Sequence, residues 1–336
     1  MVDMTASKTI AFLYPGMMGA SLARALRQRK PHYTLLTSLS GRSQASIDRA
    51  ESAGLQNVPL SDLVARSDII VSILPPSAAI DLAKDIATIL LSVKRSRPPV
   101  YVEANAVAPD TVREISAILS AHGCPVIDGC VIGGPARKGY DPKIYLWCKP
   151  EWETTMLDVA SILGSDGSHT GLKIAVLESA GEGGASALKL CYAGIAKGKT
   201  ALATLFVLGA HSPSTADALL GELASSQRDC LVRYDGDVAD AVPKAYRWVG
   251  EMEEISSFVD TSLSVKSSES VARGIADTYS GIANIWRLVA DSYKLQSKTS
   301  GIVAPGDDAG SNDADVLIEW SRKAKVELAK AGAGKS

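Results

Sequence analysis

The sequence predicts an α/β fold in two parts, a doubly wound parallel sheet followed by an all-α half. Three observations carry this. An apolar run, Ile10 to Tyr14, meets a glycine turn and then a helical pattern through Leu26. Apolar strand runs then alternate with helical patterns as far as Leu177, as in parallel sheets covered on both faces. From Gly183 onward only helical patterns recur. The expected domains are residues 1–180 for the sheet, 181–299 for the helical part, and 300–336 for a polar linker and terminal helix.

The glycine turn is the first element with chemistry in it. A dinucleotide fingerprint reads Gly-x-Gly-x-x-Gly. Here Tyr14 takes the first glycine position, while Gly16 and Gly19 keep the second and third. A helix starting at such a turn aims its free N–H groups at a pyrophosphate. Tyr14, Pro15, Gly16, Met17 and Met18 are therefore candidate cofactor contacts.

The second strand, Tyr33 to Leu39, ends in Ser40-Gly-Arg-Ser43. In a dinucleotide fold this point lies beside the adenosine ribose, where a carboxylate would bind the 2′-hydroxyl of NAD. No carboxylate stands here. Arg42, flanked by Ser40 and Ser43, suits a 2′-phosphate, so the expected cofactor is NADP(H).

A short helix (Gln44 to Ala53) and Ser61 to Arg66 precede the strand Ile69 to Leu74, which Pro75 and Pro76 stop. A helix from Ala78 to about Leu91 leads to the strand Val100 to Ala104, then to a helix from Pro109 to Ala121 with proline in its first turn. The strand Pro125 to Val131 runs into Gly133-Gly134. Ligands of such sheets lie outside the carboxyl ends of the strands, so Leu74, Pro75, Asn105, Gly133 and Gly134 should line one edge. Lys143 to Cys148 and Leu172 to Leu177 read as strands around a helix from about Glu151 to Leu163.

The long pattern Gly184 to Leu208 is rich in small and aliphatic residues, which permit close helix approach. Further helices are expected at about 214–233, 239–261, 264–292 and 314–331. Ser300 to Asp313 is Gly/Asp/Ser-rich and reads as a mobile linker.

Composition narrows the function classes. A net charge of −2 and 5% aromatic residues argue against a nucleic-acid surface. Five scattered cysteines with no Cys-x-x-Cys fit a reduced, cytoplasmic protein, and no run is long and apolar enough to span a bilayer. His32, His122, His169 and His211 share no ligand spacing, so no metal is expected. Three motifs are decoys. Tyr145 and Lys149 fit Tyr-x-x-x-Lys but sit on a strand, about 13 Å apart. Gly198-Lys-Thr200 lacks the first glycine of a phosphate loop. Ser186-Ala-Leu-Lys189 lacks the partner motifs of a Ser-x-x-Lys enzyme.

Taken together, Phe12-Leu-Tyr-Pro-Gly-Met-Met-Gly19, Val71-Ser-Ile-Leu-Pro-Pro76, Val102-Glu-Ala-Asn-Ala-Val-Ala-Pro109, Asp128-Gly-Cys-Val-Ile-Gly-Gly134 and Gly183-Gly-Ala-Ser-Ala-Leu-Lys189 resemble the β-hydroxyacid dehydrogenase and 6-phosphogluconate dehydrogenase superfamily, in order and spacing. Imine reductases belong to the same superfamily. The stretch Lys244 to Ile255 looks like a branch with a distinctive C-terminal domain. The resemblance implies a Rossmann-type domain, Asn105 near the nicotinamide ribose, and Lys189 as the catalytic acid/base.

A lysine beside a nicotinamide and shielded from water has its ammonium form disfavoured, so it can exchange a proton with a carbinol near neutral pH. Two positions depart from the family pattern. Ala193 stands where relatives carry an asparagine, with Tyr192 as the candidate to replace its hydrogen bond. Ile132-Gly133-Gly134 replaces Ser-Gly-Gly, leaving the backbone N–H groups of Gly133 and Gly134 to hold a substrate anion.

In the helical half Arg247, Glu251 and Glu254 fall on one helix face, either as a salt-bridge ladder or with Arg247 binding an anionic substrate group. The leading expectation is an NADP(H)-dependent oxidoreductase acting on a small hydroxyacid or carbonyl. An imine reductase and a non-catalytic NADPH-binding protein are the alternatives. By analogy with the superfamily the helical half pairs two copies into a homodimer.

Overall fold

The computed structural model of the protein describes residues 7–93, 95–164, 171–210, 212–299 and 312–333. The expected linker from Ser300, up to residue 311, lies outside these, as do His169 and His211. The chain forms two compact units, Met1–Tyr192 and Ala193–Ser336. The division falls within one long helix, beyond the point where strand patterns stop.

The first unit is an eight-stranded sheet. In chain order its elements are β1 (Thr9–Leu13), α1 (Met17–Arg29), β2 (Thr34–Thr37), α2 (Gln44–Ser52), β3 (Gln56–Asn57), α3 (Leu60–Arg66), β4 (Ile69–Ser72), α4 (Ala79–Ser92), β5 (Val100–Glu103), α5 (Pro109–Ser120), β6 (Val126–Ile132), β7 (Lys143–Trp147), α6 (Glu153–Leu163) and β8 (Lys173–Val176). The strand order is β3-β2-β1-β4-β5-β6-β7-β8. It reverses direction across β1 and β4, so the crevice for a dinucleotide opens at their carboxyl ends.

Side chains alternate along each strand and feed one core on each face. Ile10 and Phe12 pack with Leu22, Leu26 and Ile127. Ala11 and Leu13 pack with Ile70, Leu82, Ile86 and Tyr101 on the other face.

One strand departs from the all-parallel expectation. β7 runs antiparallel to β6, with Cys130 opposite Tyr145 and Ile132 opposite Lys143. No helix separates these two strands, and a parallel return needs a crossover of a dozen or more residues. β3, only two residues long, escaped the sequence reading because its side chains are exposed at the sheet edge.

The second unit contains most of α7 (Gly184–Leu208) and then α8 (Pro213–Ser226), α9 (Arg228–Ala241), α10 (Ala245–Ser264), α11 (Glu269–Thr299) and α12 (Asp313–Ala333). The single helix expected over 214–233 is two, broken at Gln227. Ser225 and Ser226 both donate their hydroxyls to the Glu222 carbonyl there, competing with the helical ladder. Within this unit α10 and α11 pack along their length. Trp248 meets the buried Trp286 edge-on at 4.8 Å, and Ser256 donates to the Ala276 carbonyl at 2.9 Å. No helix among the described residues is long and apolar enough to cross a membrane.

Candidate functional site

Five strand ends and two helix starts build the site, all in the first unit. At the carboxyl end of β1 the chain turns sharply, with Gly16 N–H donating to Tyr14 C=O at 2.8 Å. Gly16 then caps α1 in an extended conformation, and α1 carries no side-chain cap and no acidic residue in its first turn. The first N–H groups of a helix have no partner within it, so this end of α1 attracts an anion. Nothing lies within 4 Å of where a Cβ on Gly16 would sit. The backbone at Gly16 is therefore open to close approach on that side. Gly19 has the other role expected of a fingerprint glycine. A Cβ there would touch Pro15 at 3.7 Å and Ile73 at 3.9 Å, so the glycine keeps α1 close to the segment after β4.

Tyr14, the residue in place of the first glycine, leaves this space open. Its ring instead lies under the guanidinium of Arg42, 3.8 Å from ring centroid to Cζ. Arg42 follows Gly41 (φ +70) in a turn closed by its own N–H on Leu39 C=O, and Ser40, Arg42 and Ser43 are all exposed. The stack holds one face of the guanidinium and leaves its N–H edge clear of the ring. The residues present thus fit a dinucleotide at both its diphosphate and its ribose.

At the ends of β4 and β5 Asn105 is only 2% exposed, and both ends of its amide are hydrogen-bonded. Its Oδ1 accepts from Leu74 N–H at 2.6 Å and its Nδ2 donates to Ser72 Oγ at 3.1 Å. Its own N–H donates to Glu103 Oε1 at 2.9 Å. Asn105 therefore fixes the edge formed by Leu74 and Pro75.

Below it two carboxylates lie side by side, Glu103 on β5 in register with Asp128 on β6. Burial pushes Glu103 up to about 8, with Asp128 adding to the rise and the Asn105 N–H opposing it. Burial also raises Asp128, to about 6, against the hydrogen bonds from Ser186 and Ala185. At neutral pH the pair thus holds one proton, on Glu103.

The charge on Asp128 has a use that spacing along the chain did not reveal. It accepts from Ala185 N–H at 2.8 Å, Ser186 N–H at 3.1 Å and Ser186 Oγ at 2.6 Å. It is the anionic cap of α7, reached across 57 residues of chain. One turn further along α7, Lys189 Nζ donates to Val131 C=O at 2.8 Å. Strand β6 therefore holds α7 at two points and sets the half-buried ammonium at its own carboxyl end. The neighbouring Cys130 thiol is pushed up to about 12, chiefly by burial, and stays neutral beside the lysine. Tyr192, one turn beyond, is 51% exposed.

The Gly133-Gly134 loop is shaped by a residue that sequence reading passed over. Gly133 has φ +117, and a Cβ there would meet the Tyr140 hydroxyl at 2.1 Å. The N–H of Gly134 donates to that same hydroxyl at 3.1 Å. Tyr140 thus takes the N–H expected to hold a substrate anion. Further round the loop, Ala136 N–H donates to Ser21 Oγ at 3.0 Å, and Ser21 Oγ donates to Met18 C=O at 2.8 Å. The loop is tied to the first turns of α1. In the second unit Arg247 lies exposed on α10, while Glu251 pairs with Lys197 of α7 instead of with Arg247.

Comparison with known proteins agrees with the fold. Residues 9–95 match the family described as NADP oxidoreductase, coenzyme F420-dependent, and residues 210–282 match a domain family of unknown function, DUF1932. No curated protein matches by sequence. The conserved protein MTH1747, of unknown function and described as structurally similar to 3-hydroxyacid dehydrogenases, superposes with a TM-score of 0.53 at 24% identity, over 86% of this chain and 98% of its own. The 3-hydroxyisobutyrate dehydrogenase of Mycobacterium tuberculosis gives 0.53 at 15% identity, over 84% and 99%. The prephenate dehydrogenase of A. aeolicus gives 0.53 at 13% identity, over 97% and 99%. The chain thus has the fold of the NAD(P)-dependent 3-hydroxyacid dehydrogenases, an NAD(P)-binding Rossmann domain followed by a helical C-terminal domain.

Proposed function

We propose that the protein is an NADP(H)-dependent oxidoreductase that interconverts a small hydroxyacid and its carbonyl form, with Lys189 moving the proton. The observation that carries this reading is the Lys189 amine on the Val131 carbonyl, at the carboxyl end of β6 and on the same edge of the sheet as the glycine turn after β1. A bound dinucleotide supplies or accepts the hydride. The turn at Gly16 and the start of α1 hold its diphosphate, and Leu74 and Pro75 border the nicotinamide side. Lys189 donates a proton to the carbonyl oxygen in reduction and takes it from the hydroxyl in oxidation. The direct test is a screen of hydroxyacids, oxo acids and cyclic imines with NADPH and NADP+. Turnover of imines alone, or of nothing while NADPH still binds, defeats the proposal.

Arg42 is the proposed 2′-phosphate ligand, supported by its stack on Tyr14 and by the lack of a carboxylate at the end of β2. Arg42→Ala is expected to weaken NADPH about 10- to 100-fold, the worth of one or two charge-assisted hydrogen bonds, and to leave NADH unchanged. Equal losses for both nucleotides in a fluorescence titration would remove Arg42 from this role.

A second copy of the chain is the proposed occupant of an apolar groove between α7 and α11. It is lined by Ile195, Leu202, Leu205 and Ile285 beside Gly194 and Gly198, and Ile195 is 65% exposed. Apolar patches of this kind on soluble proteins mark interfaces. Sedimentation velocity should show a dimer that Leu202→Glu converts to monomer. A monomeric wild-type protein at micromolar concentration contradicts this assembly.

A further inference from the structure

The loop between β6 and β7 carries an arginine that the catalytic account leaves without a task. Arg137 lies exposed, with its guanidinium stacked on the Tyr140 ring at 4.5 Å from centroid to Cζ. The same Tyr140 hydroxyl receives the Gly134 N–H, so one side chain shapes the double glycine and supports the cation. Arg137 and Tyr140 also exchange both backbone hydrogen bonds, each 2.9 Å, which closes the turn between them. The guanidinium folds back over the loop, with Nη1 3.8 Å from where a Cβ on Gly134 would sit.

No carboxylate pairs with Arg137 among the described residues. The nearest acid in sequence, Asp141, is bound to Arg29 at 2.6 Å. A pre-oriented guanidinium without a counter-ion, on a loop braced at both ends, presents its two-pronged edge to an oxyanion. The position suits the chemistry. Val131, whose carbonyl holds Lys189, and Gly134, over which the guanidinium folds, are three residues and so at most about 11 Å apart along the backbone.

We propose that Arg137 receives the substrate's terminal oxyanion, a carboxylate or a phosphate carried a few atoms from the reacting carbon. It takes over the task expected of the Gly134 N–H, which Tyr140 occupies. The inference rests on the oxidoreductase reading for the word substrate, but the anion site itself can be tested apart from it.

Isothermal titration calorimetry on the full chain, with and without saturating NADP+, would use tartronate as the carboxylate probe and inorganic phosphate as the other. The proteins are wild type, Arg137→Met, Arg137→Lys and Lys138→Met, with NADPH affinity read separately by fluorescence. Arg137→Met is expected to weaken the bound anion at least about tenfold, and Arg137→Lys to recover part of that. Lys138→Met, which removes an adjacent exposed charge, should change it less than about threefold. NADPH affinity should stay within about twofold in all variants. Whichever of the two probes shows the Arg137 dependence names the oxyanion.

The proposal falls if neither probe binds wild type, if Arg137→Met binds both as wild type does, or if that variant loses NADPH affinity instead. Binding of a probe through Arg137 in a protein that ignores NADPH would keep the anion site and overturn the oxidoreductase reading.

Discussion

Lys189→Met is expected to lower turnover about 10²- to 10⁴-fold, the usual cost of losing a positioned acid/base, with NADPH affinity within about twofold of wild type. Methionine keeps the length and apolar stem of the side chain, so the half-buried site on α7 stays filled. It lacks only the ammonium that donates to Val131 C=O. The loss should appear in kcat and kcat/KM together, because a proton transfer made only in the transition state is removed. The assay uses NADPH with whichever carbonyl the screen identifies. A fall of less than tenfold, with KM taking the whole effect, would make Lys189 a binding residue and move the proton elsewhere.

The parts of this site differ in how plainly the chain announces them. Gly16 and Gly19 were legible because a strand, a turn and a helix constrain each other within a dozen residues, and an apolar run cannot be mistaken for a polar one. The Arg42 turn was legible by what it lacks, a carboxylate at the end of the second strand. Asp128 was not, although it lies in a quoted motif. Its value depends on β6 facing the first turn of α7, a contact across 57 residues that no local pattern encodes.

Tyr140 and Arg137 were passed over for a related reason. Their stretch has no periodicity and reads as a connector, and only the antiparallel return of β7 folds it back onto the double glycine. Asn105 is a further case: it stands at the edge where the ligand is expected, and its bonds to Leu74 and Ser72 are ones no local pattern announces. Along the chain a buried polar residue and a site residue look alike. Partners tell them apart, and partners are tertiary.

Glu103→Gln is expected to make the protein more stable above neutral pH, by an amount large enough to see in any denaturation curve. In the folded protein burial lifts Glu103 from 4.5 to about 8, while the unfolded chain titrates near its ordinary value. Between those two values the folded state holds a proton that the unfolded state has released. Stability therefore falls as pH rises through this window, by on the order of 3 kcal/mol by pH 7. The full cost is reached above about pH 8, where the buried glutamate ionises beside the charged Asp128.

Glutamine removes that cost without removing the contact. Its amide oxygen can accept the Asn105 N–H as Oε1 does at 2.9 Å, and its amide nitrogen faces the Tyr101 hydroxyl. The variant should lose the wild-type slope between pH 6 and 8. Below pH 6 it should keep only the share of the slope that Asp128 contributes as it titrates from 3.8 to about 6 in the same direction, so its slope there is shallower than wild type's. Urea unfolding followed across pH 5 to 9 measures both. Parallel curves for the two proteins would mean that Glu103 is ionised at neutral pH, and that the two adjoining carboxylates at the base of the site carry two charges rather than one.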